Sequence, residues 1–265
     1  MYVLYKRIPV WYPFFLQLKT IKMIQEQLSR YSIIEGKVPR EIVLLIGSRC
    51  KWQKCTFCNY HLDYHQDENV CYKLNQSVLA QVTGVYHRLE IINSGSFVDL
   101  DEQTMELIKQ TCLDKDIHTV HFEAHWMYRQ KIAALKERFE KVGIKVIMKI
   151  GVETFDYDFR ENILLKGLKE RNPAVIRKYF DDICLLQGID GQTYESMIND
   201  IETGLQYFDR VCINIMVENG MPIKPNAEVI EIFKTKILPK YINNDRVDCL
   251  LTNTDFGVGG PNYDK

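Results

Sequence analysis

Short apolar runs alternate along the chain with longer stretches whose apolar residues recur at helical spacing. The runs are Glu41–Gly47, Leu89–Ser94, His118–Glu123, Lys145–Gly151, Asp182–Gly188 and Arg210–Val217, each 6–8 residues long and nearly continuously apolar. Parallel strands covered on both faces have this pattern. The stretches between them predict helices. Asp101–Cys112 opens on acidic residues and places Met105, Leu107 and Ile108 on one side. Arg129–Val142 carries Ile132, Leu135, Phe139 and Val142 at helical spacing. Asn172-Pro173 reads as the N-cap and first-turn proline of a helix over Ala174–Phe180. Thr193–Phe208 and Asn226–Ile237 follow the last two runs.

Strand and helix thus alternate six times, which is a βα array, closed into a barrel or opened into a doubly wound sheet. Six units fall short of the eight of a full barrel. No linker, low-complexity segment or fixed-period repeat interrupts the chain, so a single domain over 1–265 is expected. Within it, 1–40 reads as an N-terminal helical cap or lid, 41–220 as the (β/α)6 core and 221–265 as a C-terminal extension. The extension holds one more apolar run, Val247–Asn253, and a glycine-rich end. Residues 8–17 are aromatic and apolar, but two prolines break the run. It covers only half of the ~20 residues that span a bilayer, and no small-residue cleavage site follows. No membrane association is expected.

Composition narrows the partners. The 265 residues are 46% hydrophobic and 26% charged, with a net charge of −1. A core of ordinary size follows, and nothing calls for a polyanion such as nucleic acid. The eight cysteines are too few for a disulfide scaffold, and three of them crowd into nine residues. The other five, Cys71, Cys112, Cys184, Cys212 and Cys249, are scattered. This usage reads as cytoplasmic with one thiolate site. Cys184 and Cys212, in apolar runs, read as core packing.

The chemistry centres on Cys50-Lys-Trp-Gln-Lys-Cys55-Thr-Phe-Cys58, directly after the first apolar run. Three thiolates on one loop can hold three irons of a [4Fe–4S] cubane and leave the fourth open for a substrate to chelate. The end of a barrel strand is where βα sites sit. The same spacing also fits a Cys3His zinc site completed by His61 or His65, and the motif by itself leaves both readings open.

In its place after the first strand, the motif resembles the radical S-adenosylmethionine superfamily. The commonest spacing there is C-x3-C-x2-C, so this loop is one residue longer, while Phe57 matches the usual aromatic before the last cysteine. The resemblance implies a partial TIM-type barrel, a [4Fe–4S] cluster on Cys50, Cys55 and Cys58, S-adenosylmethionine on the open iron, and an electron donor such as flavodoxin or ferredoxin. It extends to other strand ends over about residues 40–220. The turn Asn93-Ser-Gly-Ser-Phe97 implies that Ser94 and Gly95 receive the amino group of adenosylmethionine, and the position of Glu123 suits that group too. Gly151-Val-Glu-Thr154 and Lys166-Gly167 resemble elements of the archaeosine-type radical enzymes, in which Glu153 and Lys166 would hold adenosylmethionine. Gly188, in the turn Gln187–Thr193, and Asn214 imply contacts to adenine and ribose.

Within that subgroup the chain resembles the archaeosine-synthase radical subunit, but it is shorter, is not basic and has no appended RNA-binding module. It is more similar to the queuine lyases of anaerobic gut bacteria, which act on a free 7-deazaguanine base. That resemblance implies hydrogen abstraction from the cyclopentenediol of queuine and elimination of the C–N bond to give preQ1, the 7-aminomethyl base. A buried carboxylate is then expected at the N1–H and 2-amino edge, with Asp190, Glu218 and Asp255 as candidates. Tyr60 and His125 are candidates for meeting the diol. The alternatives are a radical enzyme acting on a 7-deazaguanine in tRNA, a radical peptide maturase, disfavoured by the lack of a second C-x2-C, and a non-enzymatic zinc-binding adaptor.

Overall fold

A computed structural model describes residues 30–251. All six predicted runs are strands. β1 (Tyr31–Ile34) turns back on β2 (Arg40–Leu45), pairing antiparallel with Tyr31 opposite Val43. Next come α1 (Glu68–Leu79), β3 (Arg88–Asn93), α2 (Glu102–Asp114) and β4 (Thr119–Glu123). They are followed by α3 (Ile132–Glu140), β5 (Lys145–Glu153), α4 (Pro173–Arg177) and β6 (Asp182–Gln187). The chain continues through α5 (Tyr194–Tyr207), β7 (Arg210–Ile215), α6 (Ala227–Ile232), α7 (Leu238–Tyr241) and β8 (Val247–Leu250). From β2 onward every pairing is parallel, and the strand order is the sequence order from β1 to β8. The sheet curls into a half-barrel.

Three features depart from the expectation. Residues 31–34 of the expected helical cap form an edge strand, while residues 1–29, with the aromatic run at 8–17, lie outside the described residues. β8, in the expected extension, joins the same sheet, so the array carries seven parallel strands. α1 had no predicted counterpart. Its core positions are Cys71, Asn75, Val78 and Leu79, and the polar Asn75 breaks the apolar stripe. Asn75 is buried because its amide replaces a missing ladder partner, accepting from Ile46 N and donating to Ile46 O, both at 2.8 Å.

The expected Asn172 cap forms, and the first residues of three other predicted helices also act as caps. Asp101, Asn172, Thr193 and Asn226 each accept a hydrogen bond from a first-turn N–H of α2, α4, α5 and α6. This satisfies donors that a helix start otherwise leaves open. No helix among the described residues is long and apolar enough to cross a membrane.

Strand alternation sends successive side chains to opposite faces. Val43, Leu45, Ile91, Phe122, Met148, Leu185 and Ile213 face the helices and join one apolar core with Ile108, Leu135, Phe139, Met197, Ile201 and Phe233. The inner face carries Arg40, Glu90, Glu123, Lys149, Cys184, Cys212 and Asn214, which line one cavity.

Candidate functional site

The cysteine loop leaves β2 and crosses the mouth of this cavity. Neighbouring segments fix it through backbone groups. Thr56 N–H donates to Leu164 O at 3.2 Å and Thr56 Oγ1 to Ile163 O at 2.7 Å. Trp52 Nε1 donates to Leu165 O at 2.8 Å, and Asn219 Nδ2 to Phe57 O at 2.8 Å. The loop is therefore anchored on both sides although it has no regular structure between Cys50 and Cys58. Gly167, at φ +69°, makes room for it, since a Cβ there would lie 2.0 Å from the Trp52 ring. Gly95 acts likewise across the mouth, since its Cβ would lie 2.3 Å from Asp99 Oδ2 and 3.3 Å from Cys50 Cα.

Cys50, Cys55 and Cys58 are free, half-buried thiols that line the cavity. Burial pushes the Cys58 thiol up to about 12 and raises Cys55 as well, although the Lys166 cation pulls both down. Left alone these groups stay protonated, and a bound metal centre is what makes such thiols ligands. Cys50, Cys55, Cys58, His61 and His65 furnish no three ligand atoms within 4.8 Å of one another. A single zinc ion needs that proximity, whereas a cubane spaces its ligands on separate irons. His61 Nδ1 bonds Cys58 O at 3.0 Å and His65 Nδ1 accepts from Asp67 N at 3.0 Å. The three thiols fit the irons of a cluster.

Beside the thiols, Lys166 Nζ pairs with Glu153 Oε1 at 2.6 Å. Burial opposes the Lys166 charge, and Glu153 outweighs it and holds the ammonium. Glu153 ends β5 at φ +68°, where the register slips between Gly151 and Glu153. A non-glycine residue in this region is strained, and such strain collects at functional sites. Two cavity-lining polar atoms, Ser94 Oγ and Asn214 Oδ1, are buried without a partner among the described residues. An unpaired buried polar atom costs on the order of 1–3 kcal/mol, so a ligand with matching groups gains by reaching it.

The floor is a chain of charges. Glu90 accepts from Arg40 Nε with one oxygen and from Lys149 Nζ with the other, and Lys149 also meets Glu123 Oε1 at 2.7 Å. Burial disfavours the Glu90 charge, but Arg40 and Lys149 together hold its carboxyl well below the usual range. Lys149 in turn is held charged by Glu123 and Glu90 against its own burial. Tyr60, on the short helical turn Tyr60–Leu62, stands beside Cys58, Glu123, Lys149 and Cys184, and burial keeps its phenol protonated.

The cavity thus gathers Cys50, Cys55, Cys58, Tyr60, Ser94, Gly95, Glu123, His125, Glu153, Lys166 and Asn214. His125 is there with both ring nitrogens engaged. Nδ1 accepts from Met127 N at 3.3 Å, which assigns the proton to Nε2, a donor to Lys166 O at 2.7 Å. The ring stacks on Trp52 at 5.1 Å, and burial with the nearby Lys166 cation lowers its pKa to about 4. His125 braces the mouth and has no nitrogen free for a diol. Gly188 is absent from the cavity lining, with its N–H bonded to Gln192 Oε1 at 2.9 Å in the turn after β6. Asp190 faces outward and accepts from Asn226 Nδ2, and Glu218 is solvated and paired with Lys224 at 2.5 Å. Asp255 lies outside the described residues. The sequence reading missed Arg40, Glu90 and Lys149, each of which ends or interrupts an apolar run. A charge inside a predicted buried strand was the available signal. Cys184 and Cys212, expected in the core, instead sit side by side on the inner face, in lateral register on β6 and β7.

No family model and no curated protein sequence matches the chain. Among solved structures, it is similar to a queuine lyase from Clostridium spiroforme bound to SAM and queuine. The TM-score is 0.83 at 42% identity, covering 88% of this chain and 100% of that one. It is also similar to methylornithine synthase, with a TM-score of 0.51 at 13% identity over 91% of this chain and 72% of that one. The second likeness concerns the fold alone.

Proposed function

The chain belongs to the queuine lyase family of radical S-adenosylmethionine enzymes, and from that premise we propose that it cleaves queuine to preQ1 in queuosine salvage. One observation carries the reading. Three free thiols on one loop open onto a cavity with orphaned polar groups on its wall, in a chain 42% identical to a queuine lyase.

In this reading Cys50, Cys55 and Cys58 hold the cluster. Ser94, Gly95, Glu153, Lys166 and Asn214 surround adenosylmethionine, with Lys166 placed to meet its carboxylate. When bound, the cluster and adenosylmethionine supply a 5′-deoxyadenosyl radical that takes a hydrogen atom from the cyclopentenediol. The protein's part is to orient the diol and manage protons. Loss of the amine needs a proton at the departing nitrogen, and the Tyr60 phenol, kept neutral by burial, holds one between the mouth and the Lys149 floor. Trp52 and His125 close the wall over Lys166 and exclude water from the radical. Electrons come from a donor such as flavodoxin or ferredoxin, and the enzyme works in the cytoplasm on the free base.

The test is anaerobic incubation of the reconstituted protein with queuine, adenosylmethionine and dithionite, read by mass spectrometry. The expected products are preQ1, 5′-deoxyadenosine, methionine and the five-carbon ring of the diol, whose radical is reduced by one electron from dithionite after the amine leaves. Formation of 5′-deoxyadenosine alone sinks the lyase assignment and leaves the radical chemistry standing.

A further inference from the structure

The edge of a 7-deazaguanine needs a partner, and the acids expected for it from sequence, Asp190 and Glu218, line no part of the cavity. Three other carboxylates do line it, Glu90, Glu123 and Glu153. Glu153 is held by Lys166 beside the cysteines, with its side chain 7% exposed. Glu90 has one oxygen on Arg40 and the other on Lys149, with its side chain 1% exposed. Only Glu123 is open. Its side chain is 28% exposed, Oε1 meets Lys149, and Oε2 has no partner among the described residues. Lys149 has three N–H donors; two go to Glu90 and Glu123, and the third has no partner among the described residues.

Glu123 and Lys149 are lateral partners on β4 and β5. A carboxylate edge and an ammonium donor therefore stand next to each other at the cavity floor. The matching ligand edge has two adjacent N–H donors followed by an acceptor, which is the N1–H, 2-amino and O6 edge of a 7-deazaguanine. We propose that the Glu123–Lys149 pair reads this edge, with Glu123 accepting from N1–H and the 2-amino group and Lys149 donating to O6. The inference rests on the lyase reading and assigns Glu123 to the substrate instead of to adenosylmethionine.

Depth agrees with it. Across the β5 bulge, Lys149 to Glu153 advances three rungs along β6, from Asp182 to Leu185, about 10 Å, so Lys149 lies below Glu153 and its partner Lys166. A base seated there points its 7-substituent, with the cyclopentenediol, up toward the mouth. The pair also discriminates. A 7-deazaadenine edge has no N1–H and sets its 6-amino donor against the Lys149 ammonium, and a site built around polar partners rejects an analogue that leaves them unpaired.

The experiment uses the reconstituted holoenzyme with its cluster left oxidised, so that nothing turns over. Binding of queuine, 7-deazaguanine, 7-deazaadenine and adenosylmethionine is measured by anaerobic calorimetry in wild type and Glu123→Gln. The expected result is a wild-type preference for 7-deazaguanine over 7-deazaadenine. In the variant, queuine affinity should fall roughly 10- to 150-fold, the range for one charge-assisted hydrogen bond, with adenosylmethionine affinity unchanged. If Glu123→Gln does not load its cluster, Glu123→Asp replaces it, since it keeps the Lys149 pair and withdraws the carboxylate by one methylene. Unchanged queuine affinity, or a loss confined to adenosylmethionine, overturns the proposal. Read beside the dithionite turnover assay, wild type that releases preQ1 there while Glu123→Gln binds queuine normally sinks the base-reading pair alone. Wild type that prefers 7-deazaguanine in calorimetry but releases no preQ1 in the turnover assay sinks the lyase reading alone.

Discussion

The two faces of the sheet are made of different material. On the outer face, Phe122 packs edge-on against Phe139 at 5.4 Å within a large aliphatic and aromatic core. On the inner face, Arg40, Glu90 and Lys149 are as fully buried, yet charged. Burial of apolar area is the general driving force of folding, and the outer face supplies it. A buried ion pair is weak evidence for stability, since well-packed apolar residues of the same volume often do as well. The inner charges are therefore better explained by the cavity they surround than by the fold they sit in.

This contrast can be broken at several points, the most drastic being the thiols. Replacing Cys50, Cys55 and Cys58 together by Ala should leave a protein with wild-type circular dichroism that binds no iron and forms no 5′-deoxyadenosine. Retained reductive cleavage of adenosylmethionine would remove the cluster assignment. Next come two substitutions of similar cost on opposite faces. Lys149→Met leaves Glu90 and Glu123 without their shared cation and should cost about 3–5 kcal/mol in urea unfolding. Phe139→Ala should cost about 3–5 kcal/mol through lost packing. Queuine affinity should separate them, falling in Lys149→Met and holding in folded Phe139→Ala. Equal losses of affinity would mean that the inner charges act only through stability.

The smallest effect concerns pH. On the helix side, burial pushes the Asp200 carboxyl up to about 6, against the Phe155 N–H that donates to it at 2.6 Å. A raised acid contributes stability below its unfolded value of about 3.9 and loses it as pH rises through the folded value. Between about pH 4 and 6 this should cost on the order of 2–3 kcal/mol. Glu90 has the opposite sign, because its depressed carboxyl stabilises above the unfolded value and loses that contribution as pH falls. Asp200→Asn, whose oxygen still accepts from Phe155, should remove the decline between pH 4 and 6 and leave the acid limb intact. Urea midpoints across that range check it, and an unchanged decline would locate it elsewhere.

Much of this was legible in the chain itself. Six strands followed from continuous apolar runs, four helix starts from Asp101, Asn172, Thr193 and Asn226, and the cluster loop from Cys50, Cys55 and Cys58. α1 escaped because Asn75 holds the end of β2 through its amide, a role that no periodicity records. Tyr31–Ile34 escaped because four half-exposed residues give too short a pattern to separate a strand from a cap.

The sequence by itself determined which residues alternate between strand faces and where three thiolates stand together, since both depend on neighbours within a few positions. Only the tertiary structure decided which face became a cavity wall. Glu90, Glu123 and Lys149 lie on three different strands and become partners only when β3, β4 and β5 set them side by side. Curling of the sheet likewise carried Cys184 and Cys212 out of an expected core and onto the lining of the site. A strand pattern fixes alternation but not the direction of curvature, and the curvature is what separates a core from a cavity.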